Sequence, residues 1–220
     1  SSAASDVYKR QDLNFIKKFK DKMVLGGAVT IEKFLDSVRS KMPELIEILQ
    51  RFGSPQIRNQ GTIGGNLCTS SPIGDLAPLL MVLNSDINVF GKNGIKKTNI
   101  KNFFKGYRKN ILKKDEILLS IEIPYPNKNN KIFSWKLSKR YDQDISTISL
   151  AINIQTQKNI IKEIQIAAGG VAATPKSLDK LCKSMLEKKL DDAIDFATEN
   201  LDKFIQPISD LRGSSHYRLE

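Results

Sequence analysis

The stretch of the chain most able to do chemistry is QIRNQGTIGGNLCTSSPIGDLAP, Gln56 to Pro78. It sets Gly61, Gly64 and Gly65 among Thr62, Asn66, Thr69 and Ser70. Glycine lets a backbone approach a phosphate closely, while free N–H groups and short hydroxyl or amide side chains donate hydrogen bonds without filling the space an anion needs. The stretch therefore has the chemistry of a diphosphate loop. It has no Gly-Lys-Ser/Thr ending of a P-loop, and its glycine spacing is not that of the dinucleotide fingerprint that follows a strand. By its glycines alone it reads equally as an anion site or an ordinary tight turn.

Other chemistries have little to stand on. The only cysteines, Cys68 and Cys182, lack the clustering that zinc or an iron–sulfur centre needs and are too few for a disulfide framework. The single histidine, His216, lies near the end of the sequence, a poor base for a nucleophile triad. The formal charge of +11 invites a nucleic-acid reading, but lysines are scattered and greatly outnumber arginines. Segments such as Lys17-Lys18 and Lys96-Lys97 read as solvated surface, and neither a nucleic acid nor a membrane is expected as a partner. No stretch reaches the roughly 20 apolar residues of a spanning helix. Ser1 to Gln11 lacks a signal-peptide core, which makes the cytoplasm the expected location.

The elements that must position the loop follow from periodicity. Met23 to Val29 reads as a strand with a kink at Gly26-Gly27, and Thr30 as the cap of a helix whose face is Ile31, Phe34, Leu35 and Val38. Pro43 opens a second helix that stops at Gly53. Residues 54–75 read as a structured loop, and Leu76 to Leu83 as a short buried helix. Ile87 to Phe90 and the segment after Lys92-Asn93-Gly94 form a hairpin, with Asn-Gly supplying positive φ, and Ile117 to Tyr125 alternates as a strand. A boundary is expected near Pro126 to Asn130. Beyond it come strands Phe133 to Leu137, Ser146 to Ile154 and Ile160 to Ala168. A helix begins at Thr174-Pro175, and another carries Leu190, Ala193, Ile194, Ala197 and Leu201.

The full loop is more specific than its glycines. Gly64-Gly65-Asn66 followed by Ser71-Pro72-Ile73-Gly74-Asp75 resembles the FAD-binding loop of the molybdenum hydroxylase flavoproteins, the family of xanthine dehydrogenase, aldehyde oxidase and carbon monoxide dehydrogenase medium subunits. FFKGYRKNILKKDEILLSIEIPYP at Phe103 to Pro126, KLSKRYDQDIS at Lys136 to Ser146 and GGVAATP at Gly169 to Pro175 match in the same order. The last two, with RFGSPQIRN at Arg51 to Asn59, look most like the FAD subunit of bacterial xanthine dehydrogenases.

The resemblance implies an α+β fold: the C-terminal part of a PCMH-type FAD-binding domain over 1–126, then a CO dehydrogenase flavoprotein-like C-terminal domain over 131–220, a three-stranded antiparallel sheet covered by helices. Residues 1–11 lie outside it and are read as a non-native extension. It implies that Thr62, Gly64, Gly65 and Asn66 contact the FAD pyrophosphate, and that Thr69 and Asp75 hold ribose or ribityl oxygens. Phe52, Leu118 and Lys136 surround the flavin; for the first two the alternative is core packing, and for Lys136 a solvated strand lysine. Tyr107 borders the ring or the NAD site, and Arg140, Asp142 and Asp144 form a loop that tunes the flavin.

The implied activity is an electron relay from iron–sulfur clusters through FAD to NAD+, with no catalytic acid or base on this chain. The molybdenum cofactor and 2Fe-2S clusters sit on other domains or on a partner subunit of a hetero-oligomer. Two alternatives remain: a related aldehyde or CO dehydrogenase flavoprotein with another acceptor, and a non-catalytic basic binding module. The family's other phosphate loop, Gly-Gly-Thr/Asn-Asp/Glu, lies upstream of everything seen here. The chain is therefore expected to be an N-terminally truncated fragment, cut at its other end within a helix, that binds FAD weakly or not at all alone.

Overall fold

A computed structural model describes residues 12–220; the reading of 1–11 as foreign lies outside them. The strands are β1 (Ile16–Lys18), β2 (Lys22–Gly26), β3 (Asp86–Gly91), β4 (Gly94–Asn99), β5 (Phe104–Gly106), β6 (Lys109–Asn110), β7 (Ile117–Pro124), β8 (Lys131–Leu137), β9 (Ile148–Gln157), β10 (Ile160–Gly169) and β11 (Lys176–Ser177). The helices are α1 (Ile31–Val38), α2 (Ile46–Gln50), α3 (Pro55–Gln60), α4 (Ile63–Cys68), α5 (Leu76–Val82), α6 (Asp179–Met185) and α7 (Leu190–Asn200). Among them no helix is long and apolar enough to cross a membrane.

Alternation along β2, β3 and β7 builds the first sheet, ordered β1-β2-β7-β3-β4 and antiparallel throughout. On its inner face Met23 pairs with Ile123, and Ile121 lies between Leu25 and Ile87. On the other face Glu122 gathers Lys22 (2.6 Å), Lys97 (3.0 Å) and Asn88 (3.0 Å). Helix α1 closes the inner face as its spacing requires, with Thr30 accepting from the Lys33 N–H. In the β3–β4 turn only Gly94 takes a positive φ, +92°; Asn93 does not.

The second sheet runs β11-β10-β9-β8. The three expected strands carry it, with the two-residue β11 added at one edge. Its inner residues Ile132, Ala151 and Ala167 join the core made by α1, α5 and the first sheet, so α5, every residue of which is buried, is packed between the two sheets. Its outer residues Ile164, Ile166 and Ala168 pack with α6 and α7 in a second cluster.

Three further local expectations are corrected. Residues 54–75 hold two short helices, because Ser54 caps α3 with Pro55 at its first position and Thr62 caps α4, accepting from Gly65. Thr174-Pro175 leads into β11, and the helix begins only at Asp179. Residues 215–219 form turns, not part of an α-helix.

Candidate functional site

The glycines of the loop bring backbones together. The Gly27 N–H donates to the Leu119 carbonyl at 2.9 Å, and the Gly64 N–H donates to the Gly27 carbonyl at 3.0 Å. A Cβ on Gly64 would lie 2.5 Å from the Gly27 oxygen, and one on Gly27 2.3 Å from the Leu118 oxygen. Only glycine allows this stacking of β7, the β2–α1 turn and α4. The Ile63 N–H meets the Val29 carbonyl, Gly65 N–H the Thr62 hydroxyl and Asn66 N–H the Thr62 carbonyl. The amides from 63 to 66 are thus engaged within the protein. What this segment offers a ligand is the exposed surface of Gly65, the Thr62 hydroxyl and the Asn66 side chain. Thr69 is exposed, and its hydroxyl donates to the Asn66 carbonyl at 2.7 Å.

A second group of residues forms a cavity of about 230 Å³, lined by Phe52, Asn66, Asp75, Lys136, Asp144 and Ser146 among others. Lys136 Nζ donates to Asp75 Oδ2 at 3.0 Å and to the Arg51 carbonyl at 3.1 Å, and Ser146 Oγ donates to Asp75 Oδ1. Lys136 and Asp75 are only 6% and 9% exposed, so the lysine is a buried, paired cation and not a solvated one. Phe52 is half-buried against the core. Asn66, which lines the cavity, has its Oδ1 buried without a hydrogen-bond partner among the described residues. Asp144 accepts from the Arg140 and Ile145 N–H groups at 3.0 and 2.8 Å, and these bonds, Arg140's first, hold its carboxyl below the usual range.

The structure therefore brings Phe52, Asn66, Asp75, Lys136 and Asp144 together. Thr62, Gly64, Gly65 and Thr69 belong to α4 and its caps, joined to the cavity through Asn66. Leu118 is a core residue. Tyr107 is exposed between β5 and β6 beside the Arg108 guanidinium, and it does not line the cavity. Arg140 and Asp142 are exposed in the loop before β9.

Sequence reasoning assigned no role to Ser146, Arg51 or Arg58. Arg51 places its guanidinium 4.3 Å from the Tyr141 ring centroid. The buried Arg58 ties α3 to Glu32 (2.6 Å) and to the Gln50 carbonyl (2.7 Å), which fixes the chain around Phe52. A buried arginine in an otherwise polar helix leaves no periodic signal. A larger groove of about 550 Å³ beside Lys176, Asp179 and Phe204 contains none of the residues singled out from the sequence. Burial pushes the Cys68 thiol up to about 11, and among the described residues no group of side chains is arranged to hold a metal.

Residues 6–126 match the family model described as the FAD binding domain in molybdopterin dehydrogenase. The chain belongs to this FAD-binding family. Residues 133–220 match the CO dehydrogenase flavoprotein C-terminal domain. The chain is 30% identical over 218 residues to the glyceraldehyde dehydrogenase medium chain of Sulfolobus acidocaldarius, covering 98% of this chain and 77% of that one. It is 31% identical over 201 residues to the xanthine dehydrogenase/oxidase of Gallus gallus, covering 83% of this chain but only 15% of that much longer protein. Among solved structures, CO dehydrogenase from Oligotropha carboxidovorans superposes with a TM-score of 0.87 at 26% identity, over 94% of this chain and 73% of that one. These relatives are named as oxidoreductases, and the α+β architecture of the family's flavoproteins is the one observed.

The family's cofactor suits these residues in part. The cavity offers an unpaired acceptor at Asn66, a buried cation at Lys136 and an aromatic wall at Phe52. Its volume is below the roughly 300–1,000 Å³ of whole-ligand pockets, so it has room for one portion of a dinucleotide and not for the whole.

Proposed function

We propose that this chain is the FAD-binding electron-transfer part of a molybdenum hydroxylase of the xanthine dehydrogenase type, working in the cytoplasm. In this reading it receives electrons from 2Fe-2S clusters, and NAD+ is the final acceptor. FAD, when bound, supplies a ring that takes up and releases electron pairs. The chain's own residues bind and orient it. Thr62, Gly64, Gly65 and Asn66 face the pyrophosphate, Thr69 and Asp75 the sugar or ribityl oxygens, and Phe52, Leu118 and Lys136 the ring, with Tyr107 and Asp144 nearby. The two parts, 1–126 and 131–220, are read as separate domains that hold the cofactor at their junction. The molybdenum cofactor and the clusters belong to further domains or partner subunits, as the Sulfolobus relative's name, a medium chain, suggests.

The observation that carries the reading is one cavity lined by Asn66, whose side-chain oxygen is buried and unpaired, and by the ion-paired Lys136 and Asp75, in a chain of a FAD-binding family. A second reading rests on the Sulfolobus match, which covers nearly all of this chain: a flavoprotein of the aldehyde or CO dehydrogenase kind with a different acceptor. The full-length protein separates them by its visible spectrum before and after anaerobic NADH. A flavin band that bleaches supports the NAD-linked relay, a band that persists favours the second reading, and no flavin at all overturns both.

A further inference from the structure

Asp75 occupies the N-cap of α5, where an aspartate ordinarily accepts from the N–H groups of the first turn, yet its side chain makes no capping bond. The carboxylate turns instead to Lys136 through Oδ2 and to Ser146 through Oδ1. Ser146 is 1% exposed, and among the described residues Lys136 is the one ion-pair partner of Asp75. Two of the three ammonium N–H bonds of Lys136 are used, on Asp75 and the Arg51 carbonyl, which leaves one for a group in the cavity it lines.

We infer that Ser146 is a positioning residue for Lys136, acting through Asp75; this rests on the FAD reading above. By satisfying Oδ1, the serine hydroxyl leaves the carboxylate only one oxygen with which to draw on the ammonium, and Lys136 keeps its place at the cavity wall. Without the hydroxyl, a buried carboxylate oxygen has lost its partner, and the Lys136 ammonium already bonded to the same carboxylate is the group able to replace it. Nζ then moves toward Asp75. A cation drawn back stabilises a negatively charged reduced ring less, and it affects the neutral oxidised ring little.

The test uses the full-length protein, loaded with FAD and as apoprotein. Ser146→Ala is expected to lower the affinity for reduced relative to oxidised FAD about tenfold, a fall in midpoint potential of about 30 mV for a two-electron couple. Ser146→Thr, which keeps the hydroxyl, restores the wild-type potential. A merely structural serine would shift the apoprotein melting temperature and leave the potential where it was. Where the alanine variant does not fold, Ser146→Cys, a weak donor of similar size, is expected to shift the potential in the same direction. An unchanged potential in the FAD-loaded Ala or Cys variant, or a Thr variant that shifts as far as Ala, overturns the inference and leaves the FAD reading intact. A wild-type protein that takes up no FAD overturns both.

Discussion

The Gly170 N–H donates to the Pro72 carbonyl at 2.7 Å, fastening the end of β10 to the turn that delivers Asp75. Gly170 has φ +87°, and a Cβ there would lie 2.4 Å from the Thr147 carbonyl oxygen. Backbone alone fits. The GGVAATP segment thus serves the site at second hand, by holding the 71–75 turn against the second sheet.

Gly170→Ala is accordingly expected to cost about 1–3 kcal/mol from the left-handed φ, with the contact on Thr147 adding to it. Urea unfolding measures the loss. Because the strained residue holds the Pro72 turn, FAD affinity should fall along with stability. A variant as stable as the wild type would remove the clamp from the account.

The buried Lys136–Asp75 pair makes a sharper case. Lys136→Met leaves the Asp75 carboxylate without its countercharge in a buried site, and a loss of about 3–5 kcal/mol is expected. Adding Asp75→Asn removes the stranded charge and should recover much of that loss in urea unfolding, while FAD binding stays weak. If the double variant is no more stable than Lys136→Met alone, the charges are not coupled as the geometry indicates.

Much of the fold is legible because local signals agree. Thr30 with Ile31, Phe34, Leu35 and Val38 specifies α1, and the unbroken apolar run from Leu76 specifies a helix buried on all sides. The site is less legible because its polar roles depend on partners distant in sequence. The requirement for glycine at Gly64 is set by Gly27, far away in the sequence, whose backbone lies against it. In β8 the alternation is inverted from the usual pattern: Phe133, Trp135 and Leu137 lie outward, 42%, 50% and 47% exposed, while Lys136 points inward. Binary patterning assigns that lysine to solvent, and only the diverted carboxylate of Asp75 explains its burial. Ser146 has no signal in sequence, since a serine gains its role only from the oxygen it meets.

Asn66 separates binding from folding. Its Oδ1 has no partner among the described residues, so Asn66→Ala strands nothing there and is expected to leave apoprotein stability unchanged or slightly raised. If that oxygen serves the cofactor, FAD affinity should drop about tenfold, or about 1.4 kcal/mol. Equilibrium titration of the full-length apoprotein with FAD, read by fluorescence, measures it alongside a thermal melt. Unaltered affinity would direct the cofactor away from the cavity.

Acid stability depends on a residue far from the site. The Glu122 carboxyl is held down to about 2 from an ordinary 4.5, first by the hydrogen bond from Lys22 and then by that from Asn88. A carboxyl whose value is depressed on folding binds protons more readily in the unfolded chain. Its contribution is complete above about pH 4.5 and is lost as the pH falls from there toward 2. Glu122→Gln removes that term. Wild type and variant should therefore differ in urea midpoint at pH 6, with the wild type the more stable, and the difference should narrow below about pH 4.5 and close only near pH 2. Parallel curves across that interval would mean that Lys22, Lys97 and Asn88 do not favour the ionised carboxyl in the folded protein.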